Sequence, residues 1–339
     1  MLVSPLVLGL NTTFLTEKEL IILKRINPLG VIIFKRNIKS KKQITNLIKF
    51  IKENIRKDIL IFIDQEGGPV QRLTLPYWKN YPSFKYLGDI YEKSQIDARN
   101  LTYCVGRLIA SDLKEIGINV NCSPCLDVRK AHTSPFLRER IFSENPVAVS
   151  SLGQKMATGL MDGECIPVIK HIPGHGRATD DSHYFLPTIE DNLDTLLQDD
   201  FKPFKELNYL PISMTAHINY RSLDNKPATF SRVIIDIIRE SIGFSGLIIT
   251  DDINMKALDG DIKYKTFEAL NAGCDLILNC SGDNELILNF IDEIPKIDSK
   301  IINRISPLKK TKKLIKPLNE IKDIYNFLTK KYKTKELGV

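Results

Sequence analysis

No run of eighteen consecutive apolar residues occurs in this 339-residue chain, so no membrane-spanning helix is expected. The N-terminal MLVSPLVLGLNTTFLTEKE carries an apolar patch but neither a basic leader nor a small-residue cleavage site, and it reads as a first strand rather than a signal peptide. The segment that follows, GLNTTFLT, lacks the G-x-G-x-x-G turn that opens a dinucleotide-binding open sheet. No Pro/Gly/Ser-rich linker, internal repeat or low-complexity tract divides the chain, so a single domain over 1–339 is expected. With 43% hydrophobic residues, a chain of this length can bury a large core.

Cysteine is sparse and scattered: Cys104, Cys122, Cys125, Cys165, Cys274 and Cys280 sit mostly in apolar surroundings. That pattern suits buried free thiols in a cytoplasmic protein better than a disulfide framework. Cys122 and Cys125 form one C-x-x-C, but no second pair accompanies it to complete a zinc site. The formal charge of +7 is local, because from Lys296 onward twelve lysines and Arg304 face four carboxylates. The remainder of the chain is therefore close to neutral. Ile, Leu, Tyr and Phe punctuate those lysines, so a helical amphipathic tail from about residue 296 is expected rather than a nucleic-acid surface.

Short apolar, β-branched runs alternate with longer segments of helical spacing. The runs are 6–10, 30–34, 59–64, 118–127, 166–171, 212–217, 246–251 and 274–279. Segments such as KKQITNLIKFIKENI and NLTYCVGRLIASDLKEIG lie between them, several closing on the glycine of a helix C-cap. Eight strands alternating with helices predict an α/β fold, the (β/α)8 TIM barrel, in one domain. Polar residues then cluster after strands: Asp64, Asp127, Lys170 with His171, His217, and Asp251 with Asp252. In a barrel all of these reach the C-terminal rim, where active sites are assembled.

Three of the five histidines fall in KHIPGHGRATDDSHYFLP, from Lys170 to Pro187. The Pro and Gly residues exclude regular structure from this loop, and its side chains admit three chemistries. His171, His175 and His183 could converge on a metal, although no H-E-x-x-H orders them. Ser182 could serve as a nucleophile, although no G-x-S-x-G elbow surrounds it. Asp181 and His183, two residues apart, could form a carboxylate–imidazole pair for proton transfer. In FIDQEGGPVQRL, Asp64 and Arg72 flank a double-glycine turn, placed either to grip sugar hydroxyls or to bridge one another. Of the adjacent Asp251 and Asp252, one could cap the next helix, while a carboxylate at a strand end could attack an anomeric carbon.

These segments resemble bacterial family 3 glycoside hydrolases of the NagZ type, the β-N-acetylglucosaminidases. KHIPGHGRATDDSH is similar to their K-H-[FI]-P-G-H-G-x-x-x-x-D-S-H signature, IDQEGGPVQRL to their D-Q-E-G-G-x-V-Q-R segment and ITDDINM to their [ST]-D-[DA]-[LI]-x-M segment. GVIIFKRNI, INVNCSPCLDV, Arg140–Phe142, MTAHI, PATFS and NAGCDLIL follow in order, so the resemblance spans Leu6 to Leu278. Ile172 and Pro69 stand where Phe and Arg are commoner, a change that touches packing more than chemistry.

The resemblance implies a retaining glycosidase with Asp251 as nucleophile, His183 as general acid/base and Asp181 as its partner. It implies sugar contacts from Asp64, Arg72, Arg140, Lys170 and His171, with no cofactor and no metal. The implied substrate is a murein-derived muropeptide, GlcNAc-1,6-anhydroMurNAc, from which terminal GlcNAc is removed by a cytoplasmic monomer during peptidoglycan recycling. No nucleic-acid partner is implied. A metal-dependent barrel hydrolase and a sugar-binding sensor without catalysis are the competing readings.

Overall fold

The computed structural model describes residues 2–301 and 315–332. Eight parallel strands close on themselves: β1 (Leu2–Gly9), β2 (Pro28–Ile33), β3 (Leu60–Ile63), β4 (Val120–Asn121), β5 (Ile166–Ile172), β6 (Ile212–Thr215), β7 (Leu247–Asp252) and β8 (Leu276–Asn279). Closure is made by β8 against β1, with Leu6 opposite Ile277 and Leu8 opposite Asn279. The (β/α)8 barrel anticipated from the alternation is therefore the architecture.

The period-2 alternation of the strands sorts side chains to two cores. Val7, Leu29, Ile32, Phe62, Val120, Val168, Met214, Ile249 and Leu278 fill the interior of the barrel. Leu6, Leu8, Val31, Ile33, Ile61, Ile63, Ile169, Ile248 and Ile277 face outward into the layer under the helices. Truncating a fully buried ring such as Phe62 in that interior costs about 3–5 kcal/mol.

The helices start where short polar side chains can hold the first free N–H groups. Thr16 and Glu19 form a reciprocal capping box on the helix Glu17–Ile26. Ser40, Ser94, Ser231 and Asp261 cap Lys41–Asn54, Gln95–Ile116, Arg232–Glu240 and Ile262–Ala272 in the same way. Gly117 and Gly273 end two of these helices in the left-handed conformation. Each helix thereby stops promptly and returns the chain to the bottom of the barrel for the next parallel strand.

One strand is shorter than its sequence suggests. The apolar run 118–127 pairs as a strand only at Val120–Asn121, because Pro124 has no N–H to continue the ladder. Beyond it, Cys122 points into the barrel and Cys125 into the outer layer, so the C-x-x-C thiols face different cores. Both thiols are free and buried.

Toward the C-terminus, Ile297–Asp298 pairs antiparallel with Leu2 and Val3 at the bottom of the barrel. The helix Leu318–Tyr332 buries Ile321, Tyr325 and Leu328, and Lys331 meets Asp97 at 2.6 Å. The helical tail expected from about 296 falls in part on residues 302–314 and 333–339, which lie outside the described residues. Among the described residues, no helix is long and apolar enough to cross a membrane.

Candidate active site

Three strand ends, those of β3, β5 and β7, deliver charge to one cleft of about 350 Å³ at the C-terminal rim. After β3, Asp64 and Glu66 leave the barrel in a turn made by Gly67 and Gly68, whose φ of 113° and 56° suit glycine. A Cβ at Gly67 would lie 2.3 Å from the carbonyl oxygen of Pro82, so the turn is also too close-packed for any side chain.

Lys170, on β5, is 2% exposed and lies between these two carboxylates, 3.0 Å from Asp64 and 2.6 Å from Glu66. Arg140 forks onto Glu66 through Nε at 3.1 Å and a terminal nitrogen at 2.9 Å. Arg72 reaches Asp64 at 3.1 Å. Burial works against ionising Asp64, but the Lys170 ammonium and the Arg72 guanidinium hold its carboxyl well below the usual range. For Glu66, burial again opposes ionisation, while Arg140 and Lys170 pull its carboxyl down. Desolvation alone would release the Lys170 proton; the two carboxylates hold it on, above the ordinary lysine range.

The histidines divide by partner. His171 Nδ1 lies 2.7 Å from the carboxylate of Asp127, which also accepts the backbone N–H groups of His171 at 3.2 Å and His175 at 2.7 Å. Asp127 is fully buried, yet the His171 and His175 contacts hold its carboxyl well below the usual range. His175 meets Ser182 Oγ through Nε2 at 3.2 Å, and its other ring nitrogen is buried with no partner among the described residues. Burial pushes the His175 imidazole down to about 4, so it is neutral at ordinary pH. His183, 57% exposed in its side chain, has Nδ1 2.7 Å from Asp181. Phe136 packs edge-on against both His175 and His183, at 6.0 and 5.7 Å between ring centres.

At the end of β7 the adjacent aspartates have different surroundings. Asp252 Oδ1 accepts the backbone N–H of Asn254 at 3.1 Å, its side-chain amide at 2.7 Å and the N–H of Cys280 at 3.0 Å. Asp251 accepts the N–H of Asp252 at 2.8 Å, and among the described residues no cation bridges it. Burial would raise the Asp251 carboxyl; the neighbouring His217 and His171 and the Asp252 N–H more than offset that and keep it ionised. His217 is held between the hydroxyl of Thr229 at 2.7 Å and the carbonyl of Asp252 at 3.0 Å.

Asp64, Arg72, Arg140, Lys170, His171, His183 and Asp251 all line the cleft, while Asp181 stands behind His183. The three loop histidines have separate partners. Among the described residues, the group whose atoms could jointly hold a metal is instead Cys125, Asp127 and His171. The sequence pattern gave no role to Glu66, placed Asp127 and His217 at the rim without one, and offered His175 only as a metal ligand and Ser182 only as a nucleophile. Glu66 carried one usable signal, being a carboxylate directly before a double-glycine turn.

A closed barrel that gathers carboxylates, imidazoles and paired cations in one rim cleft has the architecture of an acid–base enzyme. The family model described as the glycosyl hydrolase family 3 N terminal domain matches residues 12–306. The β-hexosaminidase of Alkalilimnicola ehrlichii is 35% identical over 286 residues, covering 83% of this chain and 82% of that one. The β-hexosaminidase of Methylobacillus flagellatus is 34% identical over 300 residues, covering 85% and 84%. The structure of NagZ from Neisseria gonorrhoeae in complex with N-trifluoroacetyl-D-glucosamine matches with a TM-score of 0.86 at 29% identity, covering 97% of this chain and 98% of that one. The chain belongs to glycosyl hydrolase family 3. Within it, the chain is a glycoside hydrolase of the NagZ type, in the β-hexosaminidase class.

Proposed function

We propose that this enzyme is a retaining exo-β-N-acetylglucosaminidase that works through a covalent sugar ester on Asp251, with His183 as its acid and base. The observation that carries the reading is the division of labour between adjacent aspartates. Asp252 is consumed by three N–H donors, and Asp251 remains ionised at the cleft. In the first step a carboxylate oxygen of Asp251 bonds to the anomeric carbon as the glycosidic C–O bond breaks, and protonated His183 gives its proton to the departing oxygen. In the second step neutral His183 takes a proton from water, whose oxygen bonds to the anomeric carbon and releases Asp251 as carboxylate.

Asp181 fixes the tautomer: with Nδ1 bound to its carboxylate at 2.7 Å, the transferable proton belongs to Nε2. An imidazole suits this place because, as a base, it brings no second negative charge beside Asp251. Asp64, Arg72, Arg140, Lys170 and His171 form the floor that receives the terminal N-acetylglucosamine. In this reading the physiological substrate is a murein-derived muropeptide, GlcNAc-1,6-anhydroMurNAc, met in the cytoplasm by a monomer during cell-wall recycling.

The test is release of nitrophenolate from 4-nitrophenyl N-acetyl-β-D-glucosaminide, run with and without a chelator and with and without phosphate. Turnover with retained β-configuration supports the reading. Absence of turnover favours a sugar-binding sensor, and loss on chelation with recovery on zinc favours a metal-dependent hydrolase.

A further inference from the structure

Phe34 lines the cleft, yet no step of the chemistry described so far uses it. It follows β2 directly, and its half-buried ring packs against the interior core of the barrel. The backbone there is fixed, because the Phe34 N–H donates to Asn37 Oδ1 at 2.9 Å. The fully buried Asn37 donates in turn to the carbonyls of Leu10 at 3.0 Å and Thr12 at 2.8 Å.

Two guanidinium groups lie over this one ring, that of Arg36 at 4.7 Å from its centre and that of Arg72 at 5.3 Å. Arg36 is itself anchored just beyond β1 and β8, donating to the carbonyl of Leu10 at 2.8 Å and to that of Cys280 at 2.5 Å. Arg72 is held less firmly than its neighbour in the floor. Arg140 meets Glu66 through two nitrogens, which fixes the plane of its guanidinium. Arg72 has one side-chain bond among the described residues, at 3.1 Å to Asp64, and its Nε is buried with no partner. A single bond leaves a planar fork free to swing about it. A ring face against the fork removes that freedom.

Resting on the glycosidase reading above, we propose that Phe34 is a positioning residue for this reaction: its ring holds the Arg72 guanidinium in the plane from which it grips the terminal sugar. Phe34 acts through Arg72 and has no need to touch the sugar. Orienting the guanidinium before the sugar arrives spares the complex the entropy of ordering a long side chain. Arg72 makes its contacts before the transition state, so the benefit belongs to binding rather than to the chemical step.

The experiment measures kcat and KM for 4-nitrophenyl N-acetyl-β-D-glucosaminide, together with competitive inhibition by N-acetylglucosamine. Phe34→Leu, which keeps an apolar side chain on the core, should raise KM and weaken the inhibitor by about two- to fivefold, with kcat little changed. Phe34→Tyr should restore both. Trifluorophenylalanine at the same position keeps the ring but drains negative charge from its face, and it should reproduce the loss. In an Arg72→Met background Phe34→Leu should have no further effect, because no cation remains to be held. The role is overturned if Phe34→Leu changes neither constant, if it lowers kcat instead, or if the fluorinated ring behaves as the native one. It is overturned equally if the Phe34→Leu loss is the same with and without the Arg72 guanidinium, as simple packing damage would give. Turnover of the nitrophenyl glycoside by the unaltered enzyme tests the glycosidase reading separately.

Discussion

The N–H of Cys280, at the end of β8, donates to the carboxylate of Asp252 at 3.0 Å, and this bond across two strand ends separates the functions of two adjacent aspartates. Asp252 ties the rim together; Asp251 is left to the cleft. Asp251→Ala should lower kcat by at least about a thousandfold while leaving the thermal midpoint nearly unchanged. Asp252→Ala should show the opposite balance, losing about 1–3 kcal/mol of stability from its stranded N–H donors but keeping measurable turnover. Thermal melts and steady-state rates on both variants check the assignment, which fails if Asp252→Ala is the inactive one.

His183→Ala should discriminate between substrates by their leaving groups. A disaccharide needs protonation of its departing oxygen and should slow by about a hundred- to ten-thousandfold, whereas a dinitrophenyl glycoside should suffer less in the first step. The sugar ester should then accumulate on Asp251, and azide, which needs no base, should release it as a β-glycosyl azide. Asp181→Asn should give a weaker form of the same behaviour. If both substrates are slowed equally without azide rescue and bound zinc is lost, His183 is a metal ligand instead.

Lys170→Met should test the electrostatics of the floor. Its ammonium is the shared counterion of Asp64 and Glu66, so removal should cost about 3–5 kcal/mol at pH 7. In the unaltered protein these carboxyls are held below their usual values of 3.8 and 4.5, so their contribution is present above that range and is lost as pH falls. Without Lys170, Glu66 keeps the Arg140 fork but Asp64 loses its largest stabilising charge and keeps only Arg72; the buried Asp64 carboxyl rises, and part of the deficit should be recovered as pH falls from 7 toward 5. Urea denaturation at the two pH values distinguishes this from simple loss of packing, which would give the same deficit at both.

Ser182→Ala should act through its neighbour. Ser182 holds the buried, neutral His175 at 3.2 Å one residue before His183, and so fixes the loop that presents the acid. Its loss should lower kcat for a disaccharide by about fivefold, the effect of one hydrogen bond of about 1 kcal/mol, with KM little changed and the activated glycoside hardly affected. Equal slowing of both substrates would mean a general loosening of the barrel.

Much of this molecule is local in sequence. The eight strands and their capped helices could be read directly, because period-2 and helical spacing, N-cap side chains and C-cap glycines act within a few residues. Asp181 and His183 were legible as a pair for the same reason, lying two positions apart. The limits of β4 were less so, since Pro124 ends the ladder within the run 118–127, which the sequence pattern presents as one strand.

The floor of the cleft depended on closure of the barrel. Glu66 meets Arg140 across 74 residues, and Lys170 meets Asp64 across 106. Nothing in either segment indicates which cation will neutralise which carboxylate. The same holds for the C-x-x-C, whose thiols face different cores, and for Asp251 and Asp252, identical in type and adjacent in the chain. By itself the sequence determined the elements, their order and the inventory of charged groups. Tertiary structure decided which charges cancel and which remain available, because desolvation and ion pairing depend on distances that exist only after strands far apart in the chain have been brought side by side.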